Sequence, residues 1–387
     1  MVVKDYAKKI LFFIKSNIRS IQYECAYRVI YWNEQTKLDR YGGIYSWSGE
    51  HFKLPRRPRI LFVWPTIDQA ENGLIQALVQ WGDVTIYENL QGDSQYNLTG
   101  RDDSLGSAAE LRRLNSIGLE KYFPESNNNP YDIIFTQAWG FSFSFATLRL
   151  IREKGCKIIN VCMDDRHLIH RYFAPLKLGS RSLSRYCDLV LTNVPESIDL
   201  HLKAGAGMAM FWPEAAGQEY FYSNLAYEDR NIDVLFVGQN YGARSQRVLA
   251  LQRAGIQVES FGKGWPNGYA PDIPSLYKRA KIVLGSSEIG YCKNLHHIKM
   301  RDFEAPMSGS CYVTRSHSDL PLIYNVGKEI IVYDSTDDLV EKVKELLSNP
   351  EYIASVAELG FRKAANEHTW KNRIEALMST LGESNGN

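Results

Sequence analysis

The chain has 387 residues, more than one hydrophobic core usually holds, so two domains with extensions are expected. Apolar residues make up 44% and charged residues 23%, which excludes a disordered or fibrous chain. The 45 Lys and Arg are balanced by 44 Asp and Glu, so there is no global basic field for nucleic acid, and any anion is bound locally.

Residues 1–59 carry 12 Lys and Arg against 5 Asp and Glu, making the N-terminal segment the basic part. Within 6–18, the apolar run Ile10, Leu11, Phe12, Phe13 and Ile14 is flanked by Lys8, Lys9 and Lys15. That mixture suits first a helix packed on its own domain, as amphipathic surface helices commonly are, and second an interfacial helix on an anionic bilayer. The apolar run Ile10–Ile14 is short and no small-residue cleavage site follows it, so no signal peptide is expected. No run approaches the ~20 apolar residues of a membrane span. Cys25, Cys156, Cys162, Cys187, Cys292 and Cys311 show no CxxC spacing and lie mostly in or beside apolar runs, as buried thiols do. A reducing, cytoplasmic compartment is expected, and 6–18 is the segment through which a peripheral contact at the inner membrane face would be made.

From Pro55 onward, short apolar runs alternate with segments of helical period, the pattern of a parallel sheet covered on both faces. The first set of strands is Arg59–Trp64, Val84–Tyr87, Asp132–Thr136, Lys157–Met163, Asp188–Thr192 and Ala209–Trp212, with helices over Phe143–Lys154 and Glu196–Ala204. Several of these strands are apolar at consecutive positions, as strands buried on both faces should be. Pro213 and Gly217 then break the pattern, and a linker is placed over 214–231.

The alternation restarts with the strand Asp233–Gly238, a helix Arg244–Arg253, a strand Ile256–Phe261, a helix Ser275–Ala280 and a strand Ile282–Gly285. It continues through a helix Arg301–Ser308, a strand Cys311–Thr314, a helix Asp319–Tyr324 and a strand Ile330–Tyr333. Helices follow from Thr336, with Asp337 and Asp338 where a helix dipole favours acids. The expected architecture is α/β: a helical extension over 1–54, a Rossmann-like domain over 55–213, a second over 232–370 facing the first across a cleft, and a helix with a tail over 371–387.

Three patterns carry chemistry. In the first, a helix N-terminus beside Lys299 and Arg301 would receive a diphosphate, and Glu304, a turn inside, would accept from a ribose diol. An ordinary charged surface helix has the same composition. In the second, the strand ending at Gly238 leads through Gly242 to Arg244 and Arg247; glycine lets backbone approach a ligand and Arg244 suits a leaving phosphate. In the third, Gly262, Gly264 and Trp265 close a strand, but the next glycine, Gly268, is one residue late for a dinucleotide fingerprint. No phosphate-binding GxxxxGK[ST] loop, HExxH, GxSxG or zinc spacing occurs.

Taken in this order, VLFVGQNYGARSQRVLALQRAGI, FGKGW, SLYKRAKIVLGSS, KMRDFEAPMSG and EIIVYDSTDDLVEKVKELLSNPE resemble the C-terminal domain of CgeB-like glycosyltransferases, within the group-1 set of GT-B fold. The resemblance covers 233–375 well and 59–215 loosely. It implies transfer of a sugar from a nucleotide-sugar donor to an acceptor hydroxyl in glycan or glycoconjugate biosynthesis, with the donor on the C-terminal domain, the acceptor largely on the N-terminal domain, and no metal or cofactor. The acceptor class is a glycan, a lipid-linked sugar or a protein. On this reading Gly238, Arg244, Lys299 and Arg301 hold the diphosphate, Glu304 the ribose, and Gly262, Gly264 and Trp265 lie near the base.

Retaining members of the wider fold carry a second acid eight positions before the one matched by Glu304; here that position is His296. An inverting route needs a general base for the acceptor hydroxyl. Asp165 and Asp164 rank first, directly after the strand Lys157–Met163, followed by His167 and by Asp68 after the strand Arg59–Trp64. Helix capping is the other role open to Asp164 and Asp165. A nucleotide-sugar epimerase of the same architecture and a catalytically degenerate nucleotide-binding assembly subunit remain alternatives.

Overall fold

A computed structural model of the chain describes residues 45–47, 54–67, 70–96, 105–125, 129–168, 172–173, 176–289 and 295–382. The segment 6–18, Asp68, Cys25 and Cys292 lie outside them. The described residues divide into two compact units, one within Tyr31–Pro213 together with Trp370–Asn387, the other Glu214–Thr369.

The first unit is built on a seven-stranded sheet. Its strands are β1 (Tyr45–Trp47), β2 (Arg59–Val63), β3 (Asp83–Ile86), β4 (Ile133–Thr136), β5 (Lys157–Cys162), β8 (Leu189–Thr192) and β9 (Met208–Phe211), while β6 (Tyr172–Phe173) and β7 (Leu176–Lys177) pair separately as a small hairpin. The order is β1-β9-β8-β5-β4-β2-β3, parallel throughout except where β1 pairs antiparallel with β9. Every residue of β4 and β8 is buried, which is why Ile133–Thr136 and Leu189–Thr192 are apolar at consecutive positions instead of alternating.

The second unit repeats the plan with β10 (Ile232–Val237), β11 (Val258–Phe261), β12 (Ala280–Leu284), β13 (Cys311–Arg315) and β14 (Ile331–Tyr333), all parallel, in the order β11-β10-β12-β13-β14. Val234, Phe236, Ile282, Leu284 and Val313 bury one face of this sheet against Val248 and Leu251 of the helix Arg244–Arg253 and Leu339, Val343 and Leu346 of the helix Thr336–Ser348. Local signals start these helices where the sequence places them. Ser335 accepts from the Asp338 N–H, with Asp337 and Asp338 in the first turn, and Asn349 accepts from the Tyr352 N–H ahead of the helix Pro350–Glu367.

Four segments differ from the sequence reading. Tyr45–Trp47, expected within the helical extension over 1–54, is the edge strand β1. The stretch 214–231 belongs to the second unit: it forms a short helix, Gln218–Phe221, whose Phe221 ring is buried 5.9 Å from that of Tyr277. Asp319–Tyr324 holds only the 3-10 turn Leu320–Leu322, because the chain turns again at once through Asn325 to Gly327, at φ 86°. The final helix, Trp370–Gly382, is a structural part of the first unit. Trp212 donates from Nε1 to the Arg373 carbonyl at 3.1 Å and packs its ring 5.6 Å from Trp370, while Arg373 Nε donates to the Pro213 carbonyl at 3.0 Å. Cys156, Cys162, Cys187 and Cys311 are buried free thiols. No helix among the described residues is long and apolar enough to cross a membrane.

Candidate functional site

In the second sheet the strand order reverses between β10 and β12, and the crevice outside the carboxyl ends at such a switch point is where doubly wound sheets take ligands. Gly238 follows β10 there, at φ 153°. A Cβ on Gly238 would lie 2.7 Å from Nη2 of Arg301 and 3.5 Å from Nη1 of Arg244, so two guanidiniums flank this one residue and only glycine leaves the space between them.

The loop is held from behind. The Gly238 N–H donates to Phe261 O at 2.8 Å, and Asn240 donates from its backbone to Lys263 O (2.9 Å) and from Nδ2 to Gly264 O (3.1 Å). Gly262, at φ 127°, comes so close that a Cβ would run into the Gly238 carbonyl. Trp265 is buried in the core, edge-on to Phe236, and its Nε1 donates to Gly238 O at 2.8 Å. What Trp265 offers the site is therefore the position of the glycine loop.

Arg244 opens the helix Arg244–Arg253, whose N-terminus has no side-chain cap and no acid in its first turn. Cations at the positive end of a helix dipole are unfavourable without an anion nearby. Arg244 is buried and donates to the Gln239 carbonyl (2.8 Å), Tyr241 Oη (2.8 Å) and Ser286 Oγ (3.2 Å), while stacking over the Tyr241 ring. Burial pushes its pKa down to about 10, and the neighbouring Arg301 and Arg247 push the same way. Arg301 donates to the Val237 carbonyl and lies over the Phe236 ring, and its buried Nε has no acceptor among the described residues. Among the described residues neither Arg244 nor Arg301 has a carboxylate in ion-pair contact, although buried cations are ordinarily paired.

A network that the sequence reading missed orients Arg244. Glu288 follows β12, pairs with Arg247 and accepts from Ser286 Oγ at 2.6 Å; Ser286 in turn accepts from Arg244 Nε. Burial alone would raise the Glu288 carboxyl, but the Arg247 hydrogen bond and charge and the Ser286 hydroxyl outweigh it and hold it at about 2. Its signal was available, since Ser286 and Glu288 stand just past the strand ends where ligands are sought. Lys299 reaches the same segment, donating from Nζ to Glu288 O at 2.7 Å.

The helix Arg301–Met307 starts differently from the open N-terminus expected. Asp302, fully buried, accepts from the Lys299 N–H at 2.7 Å and from Tyr312 Oη at 2.5 Å, while the Asp302, Phe303 and Glu304 N–H groups bond back to Lys299 and Met300 carbonyls. The cationic side chains, more than backbone N–H groups, are thus what this segment presents. Glu304 is 9% exposed and its carboxylate accepts no hydrogen bond from the described residues; burial lifts its pKa to about 7, with Arg301 holding it back. His296 shares a 2.9 Å hydrogen bond with Ser287 Oγ and stacks 5.9 Å from His317.

In the first unit, Asp164 and Asp165 follow β5 as expected, but in different settings. Asp165 is fully buried, accepts from Ser180 Oγ and from Thr192 Oγ1 (2.7 Å), and lies 2.8 Å from Nε2 of His201, whose Nδ1 is 2.9 Å from Ser184 Oγ. With every donor around it taken up internally, Asp165 acts as a structural carboxylate, and Cys162, Asp165 and His201 form a buried group of metal-ligand type that these hydrogen bonds already occupy. Asp164 is half-buried and its carboxylate accepts no hydrogen bond from the described residues. His167 lies in the short helix Asp165–Leu168.

Residues 244–379 match the family described as Glycosyl transferase-like. No curated protein matches the chain. Among solved structures, sucrose-phosphate synthase from Thermosynechococcus elongatus is similar at a TM-score of 0.58 and 11% identity, over 85% of this chain and 99% of that one. A glycosyltransferase from Rickettsia africae gives 0.57 and 13%, over 86% of this chain and 100% of that one, and HepE from Anabaena in complex with UDP and glucose gives 0.53 and 13%, over 84% and 100%. The chain carries a glycosyltransferase domain in a GT-B fold. Gly238, Arg244, Arg301 and Glu304 of this glycosyltransferase all stand in the unit that holds most of the family match.

Proposed function

We propose that the glycosyltransferase takes a uridine-diphosphate sugar at the β10/β12 switch point and passes the sugar to an acceptor hydroxyl, without a metal. The observation that carries this reading is the pair of guanidiniums converging on Gly238 with no carboxylate of the described residues bonded to either. HepE, of the same fold, is in complex with UDP and glucose, which supports uridine as the base. As the glycosidic bond breaks, negative charge builds on the departing diphosphate. Arg244, fixed through Ser286 and Glu288, and Arg301, fixed on the Val237 carbonyl, need no rearrangement to meet that charge and so favour the transition state over the bound donor. Lys299 adds a third cation. Glu304, ionised, accepts from the ribose hydroxyls, and Asp164 is the candidate base for the acceptor proton. The CgeB-like subgroup is our finer assignment, and residues 6–18 are our candidate for peripheral membrane contact.

Calorimetric titration of UDP, ADP and GDP into the purified chain and into Arg244→Ala tests the reading. UDP alone binding in the micromolar range, and about 100-fold more weakly to Arg244→Ala, is the expected result. Equal binding of UDP by both proteins, or no binding of any nucleotide at millimolar concentration, refutes it.

A further inference from the structure

A cavity of about 360 Å³ opens in the second unit beside Arg230, Lys281 and Gly309. These residues stand at the starts of β10, β12 and β13, so the cavity is at the opposite end of the sheet from Gly238. Its size falls in the range of small-molecule sites.

Arg230 is buried and has no carboxylate partner among the described residues. It donates from Nη1 to the Ala280 carbonyl (2.9 Å) and Ser310 Oγ (3.0 Å) and from Nη2 to the Ser308 carbonyl (3.1 Å). A guanidinium has five N–H donors, so Nε–H and one Nη2–H have no acceptor among the described residues. Ala280 and Ser308 are the C-caps of the helices Ile273–Arg279 and Arg301–Met307, whose dipoles point their negative ends at this cation. The charge is thereby largely satisfied while the donors are not, which favours a hydroxylated ligand over a strong anion.

The rest of the lining agrees. The Tyr222 ring stacks on Phe361 with centroids 4.6 Å apart and remains 44% exposed. On the helix Pro350–Glu367, Ala354, Ala357, Glu358 and Phe361 share one face, and the two alanines leave the space in front of it open. Asn224 and Glu358 supply acceptors, and Asn224 and Arg230 supply donors. An accessible aromatic ring beside both kinds of hydrogen-bonding group matches a sugar ring, with its C–H face and its hydroxyls.

We propose that this cavity is a saccharide-binding subsite that takes one neutral sugar ring of a glycan, remote from the donor site. The glycosyltransferase reading supports the choice of ligand class, but the site stands on its own geometry. The test is binding of the full chain, Tyr222→Ala and Ala357→Trp to an immobilised array of neutral oligosaccharides, with UDP affinity measured on the same preparations. The expected result is at least one oligosaccharide bound by the unaltered chain, about tenfold more weakly by Tyr222→Ala and not at all by Ala357→Trp, with UDP affinity unchanged in both. Unchanged UDP affinity also shows that the variants are folded, and failure of the donor-site reading would appear separately, as absent UDP binding. No oligosaccharide bound, or equal binding by all three proteins, overturns the proposal.

Discussion

Replacing Glu304 by Gln separates what this carboxylate costs from what it does. Burial carries its pKa from an ordinary 4.5 to about 7, which corresponds to a loss of folding stability on the order of 3 kcal/mol once the group is ionised. The sign follows from proton counts. Below the unfolded value both states hold the proton and nothing is lost. Between 4.5 and about 7 the folded state keeps a proton that the unfolded chain has released, so stability falls as pH rises, and above 7 the full loss is present. Gln cannot ionise, so Glu304→Gln should match the unaltered chain near pH 4.5 and unfold roughly 6–12 °C higher at pH 8. UDP affinity at pH 8 should move the other way, by about 10–100-fold, because hydrogen bonds from ribose hydroxyls to an ionised carboxylate are lost. Thermal unfolding at both pH values, with and without UDP, reads both effects. A variant no more stable at pH 8 would refute the burial argument, and one that binds UDP normally would refute the ribose role.

The two adjacent acids of the first unit should behave oppositely. Asp165→Ala, which leaves the donors of Ser180, Thr192 and His201 buried without their acceptor, should destabilise by about 3 kcal/mol in urea unfolding. Asp164→Asn should leave stability unchanged and lower kcat by about 10²–10⁴-fold in a sugar-transfer assay; normal turnover would remove it as the base. Gly238→Ala should weaken UDP binding strongly, since its methyl would occupy the space between Arg301 and Arg244, while the neighbouring Gly242→Ala, in the following turn, should affect it less. Equal effects in calorimetry would contradict the convergence of the two guanidiniums on Gly238.

How much was legible in the sequence depended on whether a residue's role is local. The parallel strands were readable because burial on both faces forces consecutive apolar residues, as in Val234–Val237 and Ile133–Phe135. The turn that places Gly238 and Arg244 was readable because a strand, a tight turn and a helix follow each other directly along the chain. The edge strand β1 was not, since Tyr45–Trp47 is too short for periodicity and is defined only by its antiparallel pairing with Met208–Met210. Nor was the division of labour between Asp164 and Asp165. Which of two adjacent carboxylates turns inward is decided by Ser180, Thr192 and His201, the last 36 positions away. The same holds for Glu288, whose partner Arg247 is 41 positions earlier, and for the final helix, which Trp212 ties to the first unit across 161 positions.

A crystal structure of the chain with UDP decides whether the donor diphosphate is held between Arg244 and Arg301 beside Gly238. Diphosphate oxygens within hydrogen-bond distance of both guanidiniums and a ribose hydroxyl on Glu304 are the expected result. A diphosphate bound elsewhere, with Arg244 and Arg301 still bonded only to Gln239, Tyr241, Ser286 and Val237, would contradict it.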